Sequence, residues 1–281
     1  MTFSKMYFRG EETNTIPFNE LILSWNGIRP KRGPWTFSVS LKEGEWIRIA
    51  EWGPGIQRSF ESLDTVASKE LCTAFRIKVE GGEWEGLHSL NVCVSNLANH
   101  IMRIPQNLQP VILKNVPLQS QMVLNHPRHR DLCSPTATAA ALNYLLGKQQ
   151  IDPVAFAEQV RDQGCDIYGN WVLNTAECYN QTGIPCHVAR LESFEDLHAE
   201  LVQGRPVVVS VKGTLPGAPK PYNAGHLICV VGYENGRVHC VDSAFATNEE
   251  TLVSYDLQDF LAAWGVRRNL AYVFTPQNEK K

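Results

Sequence analysis

Ser134-Pro-Thr-Ala-Thr-Ala-Ala-Ala-Leu-Asn-Tyr-Leu-Leu-Gly147, directly after Cys133, reads as a single α-helix. Proline stands in the first turn, where its missing N–H costs nothing, and glycine follows the last turn. The stretch has no charged residue, and its alanines and leucines lie on all sides, so the helix is expected to be buried. Downstream, a second helix opens at Asp152-Pro153 and closes near Gly164, and a third runs from about Trp171 to Asn180. A fourth opens at Ser193-Phe-Glu-Asp196, close to a capping box, and ends at Gly204. Strands are then expected over 205–212, 225–233 and 237–242, a helix near 256–264 and a closing strand over 270–274. Helices first and a mostly antiparallel sheet second make an α+β domain.

The region before this helix differs in character. Residues 21–25, 35–41, 46–52, 72–79 and 90–94 alternate apolar and polar, are rich in β-branched and aromatic residues, and are separated by turn clusters. They predict an all-β sandwich over 1–105. Residues 104–116, with Pro105 and Pro110 and then Pro117, suit an extended connection to the second domain, 106–281. Five of the seven tryptophans fall in the first region. They are read as strand and core packing, with an aromatic platform for a glycan or peptide ligand as the alternative.

The chain has 281 residues, 43% of them hydrophobic, and a formal charge of −3. That balance disfavours a nucleic-acid or anionic-membrane binder, which needs a basic excess. No apolar run approaches the ~20 residues of a membrane span, and the first twenty residues contain no apolar signal-peptide core. The eight cysteines contain no CxxC and sit mostly in apolar runs. Reduced thiols and a cytoplasmic setting are expected.

Cys133 is the exception among them. At a helix N-terminus, unpaired N–H groups and the helix dipole favour a thiolate. A nucleophilic cysteine needs an imidazole base, and the base an orienting acceptor. His226 lies in an otherwise apolar strand, and Asp242 closes the next one. A two-residue turn at Asn235-Gly236 would send the two side chains to opposite faces. A three-residue loop, pairing Tyr233 with Arg237, would place His226 opposite Ala244 and diagonal to Asp242 on the same face, and is therefore expected. For the oxyanion, the Cys133 N–H and the Gln121 side-chain amide are the candidate donors, with Gln119 as competitor. Asn170 and Trp171, at the start of a helix, are candidate substrate-binding residues of the cleft wall. His226 and Cys229, like His239 and Cys240, point to opposite strand faces, which disfavours a zinc site.

Gln121, Cys133-Ser-Pro-Thr136, Gly225-His226-Leu227 and Asp242, in that order, resemble the papain-like cysteine peptidases related to the bacteriocin (double-glycine) leader peptidases, over roughly 115–276. The resemblance implies a papain-like peptidase fold, Cys133 as nucleophile, His226 as base, Asp242 as orienting group and Gln121 as oxyanion donor. It implies a peptide or protein substrate and neither metal nor cofactor. The chain has Cys-Ser-Pro where many relatives have Cys-Gly-Pro, and Asp242-Ser243 where they often have Asp-Pro. The rival expectations are a thiol acyl transferase or cell-wall amidase on the same scaffold, and a non-catalytic binding protein.

Overall fold

The computed structural model describes residues 15–41, 45–60, 63–99, 103–105 and 107–276. Most of the stretch read for an export signal, residues 1–14, lies outside them.

The N-terminal region consists of β1 (Phe18–Gly27), β2 (Trp35–Ser40), β3 (Ile47–Gly53), β4 (Ile56–Ser59), β5 (Val66–Cys72), β6 (Arg76–Gly81) and β7 (Leu87–Ser95). They form two antiparallel sheets, ordered β5-β1-β7 and β4-β3-β2-β6. The expected single strand over 72–79 is broken at residues 73–75, because β5 pairs with β1 in one sheet and β6 with β2 in the other. Between the sheets, Trp25 stacks on Phe37 with ring centroids 4.0 Å apart and meets Trp52 edge-on at 6.1 Å. Trp25, Trp35 and Trp52 are fully buried, so the platform reading fails for them. Trp46 instead carries Arg76 and Lys78 over its ring.

The remaining elements are β8 (Val111–Ile112), α1 (Cys133–Leu146), α2 (Pro153–Val160), α3 (Trp171–Thr182), β9 (Cys186–Arg190), α4 (Phe194–Val202), β10 (Val207–Gly213), β11 (Tyr222–Glu234), β12 (Arg237–Val241), β13 (Leu252–Asp256), α5 (Leu257–Gly265) and β14 (Leu270–Phe274). They make a mixed fold of five helices and a seven-stranded sheet, ordered β13-β12-β11-β10-β14-β9 with β8 against β11. Helix α1 is buried from Ser134 to Asn143, packs on β11, β10, α2 and α3, and stops where Gly147 turns left-handed at φ 66°. Helix α2 ends at Val160 rather than near Gly164, because Asp162 is drawn into the contacts that join the two regions.

One hydrophobic core runs through both regions. At their junction β9 is an edge strand, and its outer N–H groups are satisfied by side chains of β1 and, at Arg190, by Cys93 Sγ of β7 at 3.3 Å. Cys186 N donates to Asn26 Oδ1 at 2.9 Å and Val188 N to Ser24 Oγ at 3.2 Å. Two buried polar residues on a strand thus close a sheet edge that would otherwise invite pairing. Arg29 stacks over Trp52, and its Nη2 bonds Glu177 Oε2 at 2.8 Å and Gln159 O at 2.9 Å.

The β11–β12 hairpin differs from expectation in an informative way. Glu234 pairs with Arg237 across a two-residue turn with Asn235 at φ 50° and Gly236 at φ 74°. The expected three-residue loop is therefore incorrect. The extra residue enters inside β11 instead: Gly232 pairs with His239 but Val230 with Cys240, so Val231 is bulged. Its carbonyl accepts from Leu113 N at 2.8 Å, just past β8. Below the bulge Cys229 pairs with Val241, a register that, continued, puts His226 opposite Ala244.

Candidate active site

Cys133 opens α1, where the first-turn N–H groups lack intrahelical partners. Burial alone would push its thiol up. The hydrogen bond and charge of His226, with the N–H groups of Leu227 and Ser134, outweigh burial and hold it below the ordinary thiol range. His226, on β11 opposite Val211 of β10, is buried. Burial works against its charged form, but Asp242 and Cys133 overcome that and push it up to about 10. Both shifts favour a thiolate–imidazolium pair at neutral pH.

Asp242 lies one residue past β12 and is wholly buried. Its Oδ1 accepts from His226 Nε2 at 2.8 Å and from Ala244 N at 3.0 Å. Its Oδ2 accepts from the hydroxyls of Tyr222 and Tyr255, both at 2.6 Å. Burial opposes its charge, but the imidazolium and the two hydroxyls keep the carboxyl below its ordinary range. The Tyr222 ring also stacks on the imidazole, centroids 4.2 Å apart at 24°. Neither tyrosine was anticipated. Tyr222, four residues before His226 on one strand, carried a same-face signal; Tyr255 is brought in only by β13 pairing.

Gln121 sits in a 3₁₀ turn capped by Ser120, whose Oγ accepts from Met122 N at 3.0 Å. Its backbone N donates to Ser243 O at 2.9 Å, and Ser243 Oγ donates to its Oε1 at 2.7 Å. Ser243, the residue after Asp242, thus holds Gln121 by both its carbonyl and its hydroxyl. The Gln121 amide nitrogen donates to Arg130 O at 2.7 Å and His129 O at 3.2 Å. Gln119 lies instead in a pocket beside Ala139 and Asn143, away from these groups.

Cys133, His226, Gln121 and Trp171 line one cleft of about 650 Å³. Asn170 does not line it, which corrects the expectation for that residue. It is fully buried, its Oδ1 accepts from Leu173 N at 3.1 Å as the N-cap of α3, and its Nδ2 donates to Asp162 Oδ2 at 2.7 Å. Its short amide serves the helix end, as asparagine commonly does there. Leu63, Asp64 and Arg267, which carry no signal in the sequence, also line the cleft, from outside the α1–β12 segment. Leu63 is left-handed at φ 48°, and Asp64 Oδ1 accepts from Trp171 N at 2.7 Å. Among the described residues no group of three or more His, Cys, Asp or Glu side chains could hold a metal ion, and no helix is long and apolar enough to cross a membrane.

A model of the Peptidase_C39 like family matches residues 113–272. The structure of a C39-like peptidase from Bacillus anthracis is similar at 18% identity and a TM-score of 0.47, covering 60% of this chain and 98% of that one. No curated protein matches the chain.

Proposed function

The chain belongs to the Peptidase_C39 like family and is a cysteine-type peptidase; from this we propose that Cys133, His226 and Asp242 are its catalytic triad, with Gln121 as an oxyanion donor. The observation that carries the reading is the buried chain of contacts from the thiol through the imidazole to a carboxylate with four donors on it. The Cys133 thiolate attacks the peptide carbonyl carbon. His226 gives its proton to the leaving amine, and the acyl group stays on sulfur as a thioester. Water, deprotonated by His226, then hydrolyses the thioester and frees the thiol. The oxyanion of each tetrahedral intermediate is met by the Cys133 N–H and by Gln121 Nε2, which gives up its longer bond to His129 O.

In this reading residues 106–281 form a papain-like domain and 1–105 a β-sandwich that packs against it and completes the cleft. Cys133 is the nucleophile among eight free thiols, which suit a reducing, cytoplasm-like compartment.

Iodoacetamide labelling of the full chain, mapped by mass spectrometry, tests the pair. Cys133 should label rapidly near pH 6, while Cys229, pushed up to about 12 by burial, stays silent. His226→Ala should remove the fast labelling. Labelling that rises only near the ordinary thiol pKa of ~8.5, alike in both proteins, would overturn the triad.

A further inference from the structure

Arg267 lies two residues past α5 and reaches back to the strand that carries His226. Its Nη2 donates to Ala224 O at 2.9 Å. Gly225, between Ala224 and His226, has φ +96°, and a Cβ there would stand 2.0 Å from that nitrogen. Only glycine leaves room for the guanidinium beside the histidine strand. Arg267 Nε is buried and makes no hydrogen bond, and the guanidinium forms no ion pair among the described residues. Arginine is seldom so placed without an anion.

The same cleft holds Arg130 and Lys220. Arg128 is already committed to Asp131 and Asp166, each at 2.8 Å. Asp64 attracts Arg267 without pairing with it. Burial pushes the Asp64 carboxyl up to about 8, the N–H groups of Trp171 and Val172 and the charge of Arg267 pull it down, and Asp162 pushes it up. At neutral pH it is therefore mostly a neutral acid, able to donate a hydrogen bond rather than repel an anion.

We propose that Arg267 is the specificity-determining residue of the cleft and binds a substrate carboxylate beside the scissile bond. The favoured substrates are peptides with an acidic side chain, or a free terminal carboxylate, at that place. This rests on Cys133 being the nucleophile. Ionisation of Asp64 supplies Arg267 with an internal counter-ion and so weakens substrate binding.

The first test needs no known substrate. Cys133 is alkylated at pH 6.5 with iodoacetate and, separately, with neutral iodoacetamide, in the full chain and in Arg267→Gln and Arg267→Lys. The iodoacetate-to-iodoacetamide rate ratio should fall about five-fold in Arg267→Gln, the effect of one charge removed at cleft distance, and recover in Arg267→Lys. A ratio equal in all three overturns the subsite, while slow iodoacetamide labelling in the wild type overturns the triad beneath it. Paired peptides differing only by Glu or Gln, with free or amidated C-termini, then locate the carboxylate. A preference of about ten-fold or more that follows Glu marks a side chain, and one that follows the free terminus marks a terminal group; both should be lost in Arg267→Gln. Equal cleavage of all four overturns the proposal. For the preferred peptide kcat/KM should decline near pH 8, well below the His226 limb at about 10. Asp64→Asn should lack that decline, and its persistence there would remove Asp64 from the subsite.

Discussion

Asp242→Ala should lower kcat by about 10³- to 10⁴-fold and cost about 3–5 kcal/mol of stability. The side chain is the common acceptor for His226, Ala244 N and the hydroxyls of Tyr222 and Tyr255. Deleting it leaves buried donors without partners and frees the imidazole to turn. Asp242→Asn should be much milder, since asparagine serves as the orienting group in other Cys-His sites. Its one carbonyl oxygen still accepts from the imidazole, and tyrosine hydroxyls can rotate to accept from the new amide. What asparagine cannot supply is charge. His226 should then titrate below its value of about 10, and the basic limb of the activity profile should move down with it. Peptidase kinetics against pH, with circular dichroism melts of both variants, would settle the matter; an Asn variant as inactive as Ala would show that orientation is not what Asp242 provides.

The second large effect is expected far from any chemistry. Asp162→Ala should destabilise the protein by about 3–5 kcal/mol, lowering Tm by roughly 10 °C. Asp162 is fully buried, and its carboxylate joins the two regions. It accepts from Ser59 N at 2.9 Å and from the Ser59 hydroxyl on one side. On the other it accepts from Gly164 N at 2.9 Å and Asn170 Nδ2 at 2.7 Å. Because Asn170 caps α3 and Asp64 holds the next N–H, the cleft wall at Trp171 should loosen too, raising KM more than it lowers kcat. A melting point within about 2 °C of the wild type would mean that solvent or neighbouring side chains replace these bonds.

Much of the candidate site was legible because it is built from local rules. A helix opening at a cysteine, an imidazole amid apolar strand residues and an aspartate closing the next strand each signal alone. Their shared face follows from strand parity. The expected parity holds through another device: the extra residue sits at Val231, not in the loop. That choice is tertiary. Leu113 N takes the Val231 carbonyl, and Gly232 faces Val111 O and Ile112 so closely that a Cβ would come within 2.8 Å of that oxygen. Nothing near residue 231 announces a strand arriving from residue 111. The short strands β4, β5, β9 and β13 were missed for a related reason: each lies at a sheet edge, where periodicity is weak and the partner decides. Asp64 and Arg267 were illegible because only the packing of the two regions, and of α5 against the sheet, puts them in the cleft. Asn170 had a local signal, that of a helix cap, and that was the meaning the fold kept.

The bulge also sets how freely the hairpin can change length. Strand β11 is held against β10 from Val230 to His226 in unbroken register, and its offset from β12 is set at Val231. The tip at Asn235-Gly236 lies beyond both fixings. Residues gained or lost there leave the histidine facing the same way, so the outer end of this hairpin is where the lineage could lengthen or decorate the chain while the chemistry stayed in place.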